Sequence, residues 1–352
     1  MAWRGGERVL QALATLFPGA DIYTLVADHR QLPPVLQGRR IHTSWLQRLP
    51  VHRHFRWALP LFPWTIEQFR FHRYDLVISV SHTVARGVQT DGVPHLSYCL
   101  TPMRYTWVAP ETYFGPHVEA WWSPQRALVQ YLRRWELATL DRVHAFAAIS
   151  RTVQTRIRQY YRRDSQVIYP PVDCALFERV PREPHDYYLV VSALVPYKQT
   201  ALAIEAFNRL RRRLIIVGTG PEEPKLRRLA GPTVTFAGWQ TPERLAQWYA
   251  GARALVYPQE EDFGLAAVEA QATGCPVIAF ARGGATETVV NDLTGVFFDD
   301  PTADALVDAV ERLGQLALDP VTARQQARQF DQQRFEAAFS AAASAMLGRG
   351  SA

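Results

Sequence analysis

The tightest constraint on this chain is a repeated pattern in its second half. Short apolar runs at 187–192, 214–217, 234–236, 254–257, 276–280 and 296–298 alternate with stretches of helical length. Near-continuous apolar runs suit strands buried on both faces, and parallel strands need connections long enough to hold a helix. The pattern therefore predicts a doubly wound α/β domain. Residues 21–25, 75–80, 94–99 and 145–149 repeat the alternation less regularly in the first half. At 352 residues the chain exceeds what one hydrophobic core usually supports, so two domains are expected. They should part near Tyr169-Pro-Pro-Val-Asp173, because consecutive prolines stop helix and sheet alike. The expected division is 1–168, 169–318, and a helical segment, 319–352, that packs back on the first domain.

Composition matters chiefly for what it excludes. No apolar run approaches the roughly 20 residues needed to span a bilayer. The residues before Glu7 lack the apolar core of a signal peptide, and Cys99, Cys174 and Cys275 are too scattered for a disulfide or zinc framework, which together point to the cytoplasm. Net charge is +6, carried almost wholly by arginine, since Lys198 and Lys225 are the only lysines. Such a surface can attract nucleic acid, anionic lipid or a phosphorylated small molecule. Without zinc-finger spacing, an RNA-binding aromatic signature or a dense basic tail, a nucleic-acid partner is not expected. Gly5-Gly6 reads as a glycine-rich turn opening a helix, a feature that normally follows a strand. No strand precedes it here, so either a start codon placed too far downstream or a missing first strand is expected.

The densest chemical signal is Glu260-Glu-Asp-Phe-Gly-Leu-Ala-Ala-Val-Glu269, after a predicted strand and before Gly274, a good helix C-cap. A helix from about Phe263 would offer free backbone N–H groups to an anion, and Gly264 would let a ligand approach the backbone. Glu261 would sit on the loop before it and Glu269 less than two turns in. Carboxylates are poor phosphate ligands but good acceptors for sugar or ribose hydroxyls, and a nucleotide-sugar presents both groups. The plainer reading is that these acids only complement the helix dipole. Lys198 follows another predicted strand, where a cation could neutralise a diphosphate, or could be a solvated surface lysine. Gly218-Thr-Gly-Pro221 and Gly283-Gly-Ala-Thr-Glu287 are tight turns at the same edge. No Gly-x-Gly-x-x-Gly fingerprint follows a predicted strand, which argues against a dehydrogenase.

In order and spacing these pieces resemble the donor domain of glycosyltransferase family 4. Its carriers are Tyr169-Pro-Pro-Val-Asp173, the Lys198 loop, Gly218-Thr-Gly-Pro221, the Glu-x7-Glu pair Glu261 and Glu269, and Asn291-Asp-Leu-Thr-Gly295. A weaker likeness extends through Gly5-Gly-Glu-Arg8 and Ser97-Tyr98…Thr101-Pro-Met-Arg-Tyr105. The resemblance implies a GT-B fold of two facing Rossmann-like domains with a C-terminal crossover helix, and a retaining, hexose-transferring enzyme of the mannosyltransferase-like group. It also implies a GDP- or UDP-linked sugar as donor substrate, no cofactor and no metal, and a glycan or lipid-linked saccharide as acceptor in polysaccharide biosynthesis. By the same resemblance Glu261 would hold the donor sugar and Glu269 the ribose, with Lys198 and backbone groups around Phe263, Gly264, Leu265 and Gly218 binding the diphosphate side, and Gly5 and Gly6 reaching the donor from the first domain.

Two positions depart from the family pattern. Ala193 stands where many relatives carry an arginine, and Leu100 where they tend to carry a histidine. His82 is taken as the substitute for that histidine, with His95 as a second candidate. The departures also leave open a catalytically degenerate, nucleotide-sugar-binding or partner-binding relative. Between 45 and 73, aromatics such as Trp45, Phe62 and Trp64 interleave with Arg48, Arg53, Arg70 and Arg73. That composition suits either a peripheral contact with anionic lipid at the inner face of the plasma membrane, or a core helix pair with a solvated arginine face.

Overall fold

The computed structural model describes residues 5–29, 32–49 and 55–349. The chain divides into two compact units, one of residues 1–169 with 335–352 and the other of residues 170–334. The first boundary falls within the predicted Tyr169–Asp173 linker. The return point lies at 334/335 rather than at 318/319, because the predicted helical tail is broken in two. Its first helix, Pro320–Ala327, is N-capped by Asp319, which accepts from the N–H groups of Val321 (2.9 Å) and Thr322 (3.2 Å). Phe330 then turns inward at 4% exposure and stacks edge-on against Phe263 at 5.4 Å, which keeps this stretch in the second unit. The second helix, Gln332–Arg349, places Phe335 and Phe339 against Tyr98 at 5.8 and 5.6 Å within the first unit.

Unit 1 holds strands β1 (Ile22–Thr24), β2 (Ile41–Thr43), β3 (Val77–Ser81), β4 (His95–Cys99), β5 (Ala145–Ala148) and β6 (Ser165–Val167). β1 and β2 form a two-stranded parallel sheet, and β3-β4-β5-β6 a four-stranded one. The buried hydroxyl of Tyr98 donates to Ile168 O at 2.8 Å. His95, also on β4, is fully buried. Its Nδ1 donates to the carbonyl of Arg142 (2.9 Å), so Nε2 must accept from Ser79 (2.8 Å), and burial lowers its pKa to about 4. A neutral imidazole with both nitrogens committed serves packing, so the suggestion that His95 replaces a site histidine is corrected.

A charged pair lies at the centre of the unit. Arg86 and Glu136 are 1% and 0% exposed, with Nη2 to Oε1 at 2.9 Å. Glu136 also accepts from Trp107 Nε1 (2.6 Å), the Tyr161 hydroxyl and the amide of Met103 (3.5 Å), the last of these in the Thr101–Tyr105 motif. Of the aromatic stretch 45–73, Phe62 and Phe71 are core, whereas Trp64 is 58% exposed. Arg53 lies outside the described residues.

Unit 2 holds β7 (Tyr188–Val191), β8 (Leu214–Val217), β9 (Val234–Gly238), β10 (Leu255–Tyr257), β11 (Val277–Phe280) and β12 (Gly295–Phe298), each within two residues of its predicted run. All pair in parallel, in the spatial order β9-β8-β7-β10-β11-β12. One face packs on helices Thr200–Leu210 and Ala303–Gln315 through Leu202, Phe207, Leu306 and Val310. Helix Leu265–Ala272 presents no polar face and is buried from Ala267 to Ala272, as expected of a helix enclosed by the fold. Among the described residues no helix is long and apolar enough to cross a membrane.

Candidate active site

In unit 2 the chain runs outward from β7 to β9, returns to β10 beside β7, and then builds in the other direction. That reversal opens a crevice at the carboxyl ends of β7 and β10, the place where such sheets bind ligands. Lys198 ends a 3₁₀ turn, Pro196–Lys198, in the loop after β7; Glu261 lies in the loop after β10. The two side chains form an ion pair, at 14% and 20% exposure, through Glu261 Oε1. Glu261 Oε2 accepts from the Tyr257 hydroxyl at 2.6 Å. Glu269 is 3% exposed in the second turn of helix Leu265–Ala272, and its Oε2 accepts from the buried Tyr249 hydroxyl at 3.0 Å. Each carboxylate of the Glu-x7-Glu pair thus has a tyrosine partner.

The glycines shape the loops that carry these groups. Gly264 has φ +97°, and a Cβ there would fall 2.9 Å from the Tyr257 oxygen, so the helix starts two residues later than predicted, with glycine as its N-cap. No side chain caps that end. Gly218 lies so close to the preceding loop that a Cβ would be 1.8 Å from Ser192 O. The backbone it approaches is therefore the protein's own, and the contact, with Leu194 N–H donating to Thr219 O at 3.0 Å, braces the Lys198 loop. Gly283 pairs with Glu261 in a parallel bridge, and the Gly284 N–H donates to Glu261 O at 2.7 Å. Phe263 is 3% exposed and turned toward Phe330, so only its backbone faces the loop; Leu265, the first helical residue, is half-buried.

In unit 1, Gly5 and Gly6 open helix Gly5–Leu16. A Cβ on Gly6 would lie 3.2 Å from Leu100 Cδ1, so the residue in the histidine position packs against the glycine turn. His82 is exposed just past β3, and the Leu100 N–H donates to Ser81 O at 2.8 Å; the two positions sit at the carboxyl ends of adjacent strands. Tyr257 and Tyr249 were missed by sequence reasoning, and Gly284 was read only as part of a tight turn. Tyr257 could have been flagged as a polar residue ending an apolar strand four positions before Glu261.

A family model described as Glycosyl transferases group 1 matches residues 176–330, and one described as Glycosyltransferase Family 4 matches residues 3–176. The chain belongs to glycosyltransferase family 4. This family 4 chain is 36% identical over 141 residues to the GDP-mannose-dependent alpha-(1-6)-phosphatidylinositol monomannoside mannosyltransferase of Mycobacterium tuberculosis. That match spans 35% of the chain and 37% of the mycobacterial protein, little more than a third of its length. The fold is similar to sucrose-phosphate synthase of Thermosynechococcus elongatus, with a TM-score of 0.72, 21% identity, and coverage of 97% and 92% of the two chains. It is also similar to Anabaena HepE in complex with UDP and glucose, with a TM-score of 0.68, 17% identity, and coverage of 97% and 96%. The family 4 chain therefore has the GT-B fold.

Proposed function

We propose that the chain is a retaining, metal-independent glycosyltransferase that moves a hexose from a GDP- or UDP-linked donor to a glycan or lipid-linked acceptor in polysaccharide biosynthesis. The observation that carries this reading is the meeting of Lys198, Glu261 and the uncapped start of helix Leu265–Ala272 at the switch point of the sheet. A sugar leaving from a nucleoside diphosphate passes through an oxocarbenium-like state while negative charge grows on the phosphate. A cation and a helix N-terminus lower that barrier by stabilising the charge where it develops. Lys198 and the amides near Gly264 take that role, Glu261 accepts from sugar hydroxyls, and Glu269 accepts from the ribose. The acceptor hydroxyl attacks the face the diphosphate leaves, which retains configuration. Mannose and GDP are suggested by the name of the mycobacterial relative, and UDP by the ligands of the Anabaena structure.

Thermal shifts with GDP, UDP, ADP and their sugar conjugates, without added metal, test the donor site. A ligand at about 100 times its Kd adds roughly 2.7 kcal/mol, so one base should stand out. Glu261→Ala is expected to lower transfer far more than it weakens nucleoside diphosphate binding, whereas Glu269→Ala weakens both. Equal affinities and turnover in the two variants would discard these roles. The exposed Trp64, amid arginines, supports a weak contact with anionic membrane at the cytoplasmic face. Cosedimentation that is the same with anionic and neutral vesicles removes that part of the proposal.

A further inference from the structure

We infer that Tyr257 is a positioning residue of the donor site: its hydroxyl sets the Glu261 carboxylate and keeps hold of it when Lys198 is drawn to the diphosphate. The inference rests on the reading of Glu261 as acceptor for sugar hydroxyls. In the structure the carboxylate is held from two sides, Oε1 by Lys198 and Oε2 by Tyr257 at 2.6 Å. The two anchors differ in kind. Lys198 carries its charge on a flexible four-carbon stem, and a diphosphate offers more negative charge than one carboxylate, so donor binding competes for it. Tyr257 is neutral, is 1% exposed and ends β10, whose partner strand pairs Tyr257 with Ala279. Its oxygen is wedged between the carboxylate and the Gly264 turn, where even a methyl group would come within 2.9 Å of it. A hydroxyl at that distance makes the short, charge-assisted bond that carboxylates favour, and its strand-end position leaves it little room to turn away. Glu261 sits on a loop and would otherwise sample several rotamers; the tyrosine selects one before the sugar arrives.

The test is titration calorimetry of the full chain with GDP, GDP-mannose, UDP and UDP-glucose, from mildly acidic to neutral pH, for the wild type, Tyr257→Phe and Glu261→Ala. Phenylalanine keeps the ring under Gly264 and removes only the hydroxyl. Tyr257→Phe is expected to leave nucleoside diphosphate affinity unchanged and to weaken the cognate sugar nucleotide by about tenfold to a hundredfold. It should also move the acid limb of sugar-nucleotide binding to higher pH, because the charged carboxylate has lost a donor. If Glu261→Ala weakens sugar-nucleotide binding but Tyr257→Phe matches the wild type in affinity and acid limb, the positioning role is overturned and the donor-site reading stands. A Tyr257→Phe loss that is equal for diphosphate and sugar nucleotide, with no movement of the acid limb, marks a structural role and also overturns it. If Glu261→Ala binds all four as the wild type does, or the wild type binds none, the donor-site reading and the inference fall together.

Discussion

Glu136→Ala is expected to destabilise unit 1 by about 3–5 kcal/mol, the usual cost of stranding one partner of a buried ion pair. The size follows from what the substitution leaves behind. Arg86 would keep its charge at 1% exposure, and its Nε and Nη1 already lack hydrogen-bond partners. The Trp107 Nε1 and the Tyr161 hydroxyl would lose an acceptor in the same place. For a unit of this size such a loss moves the melting transition down by roughly 10 °C. Replacing both members, as Arg86→Met with Glu136→Leu, should cost less than Glu136→Ala alone, because no charge is then left buried. Calorimetric melting of the three proteins checks this. A double variant less stable than the single one would show that the pair itself holds the unit together.

Gly284→Ala should weaken the cognate sugar nucleotide and lower transfer by about a hundredfold, although it lies outside the proposed contacts. Local propensity predicts the opposite sign for stability. Gly284 has φ −65° and ψ −18°, helical values at which alanine usually stabilises by up to about 1 kcal/mol. Packing overrides this, because the new Cβ would fall 2.3 Å from both Cα and O of Phe263, which are backbone atoms that cannot rotate aside. The loop from Glu261 to Gly264 must then move, at a cost of about 1–3 kcal/mol in overpacking. A displacement near 1 Å at a reacting group costs on the order of 10²-fold in rate. Melting temperature and donor affinity decide between the two arguments: a variant as stable as the wild type, with full affinity, would mean the loop tolerates the methyl group.

Much of unit 2 was legible because its local signals agree with the fold. Runs such as 214–217 and 276–280 are apolar on both faces, which only a covered parallel sheet satisfies, and the structure returns them as β8 and β11. The meeting of Lys198 and Glu261 was legible for a similar reason, since groups placed just after neighbouring parallel strands gather at one edge. Unit 1 was harder. β2 and β6 are three-residue strands, Ile-His-Thr and Ser-Gln-Val, too short and too mixed for periodicity to separate them from loops. Their pairing with β1 and β5 makes them strands.

The sequence by itself determined the α/β class, the linker and the strands of the second unit, because each depends on neighbours along the chain. Only the tertiary structure decided which groups hold the candidate site residues in place. Tyr249 as partner of Glu269, Gly284 beneath the Glu261 loop, the return point at 334/335 and the burial of His95 all come from contacts between segments distant in sequence or from a burial that no local pattern encodes, and even Tyr257, only four positions before Glu261, is made its partner by the turn at Gly264. The physical reason is that a polar side chain looks the same in sequence whether water or a buried partner satisfies it, and only packing selects the partner.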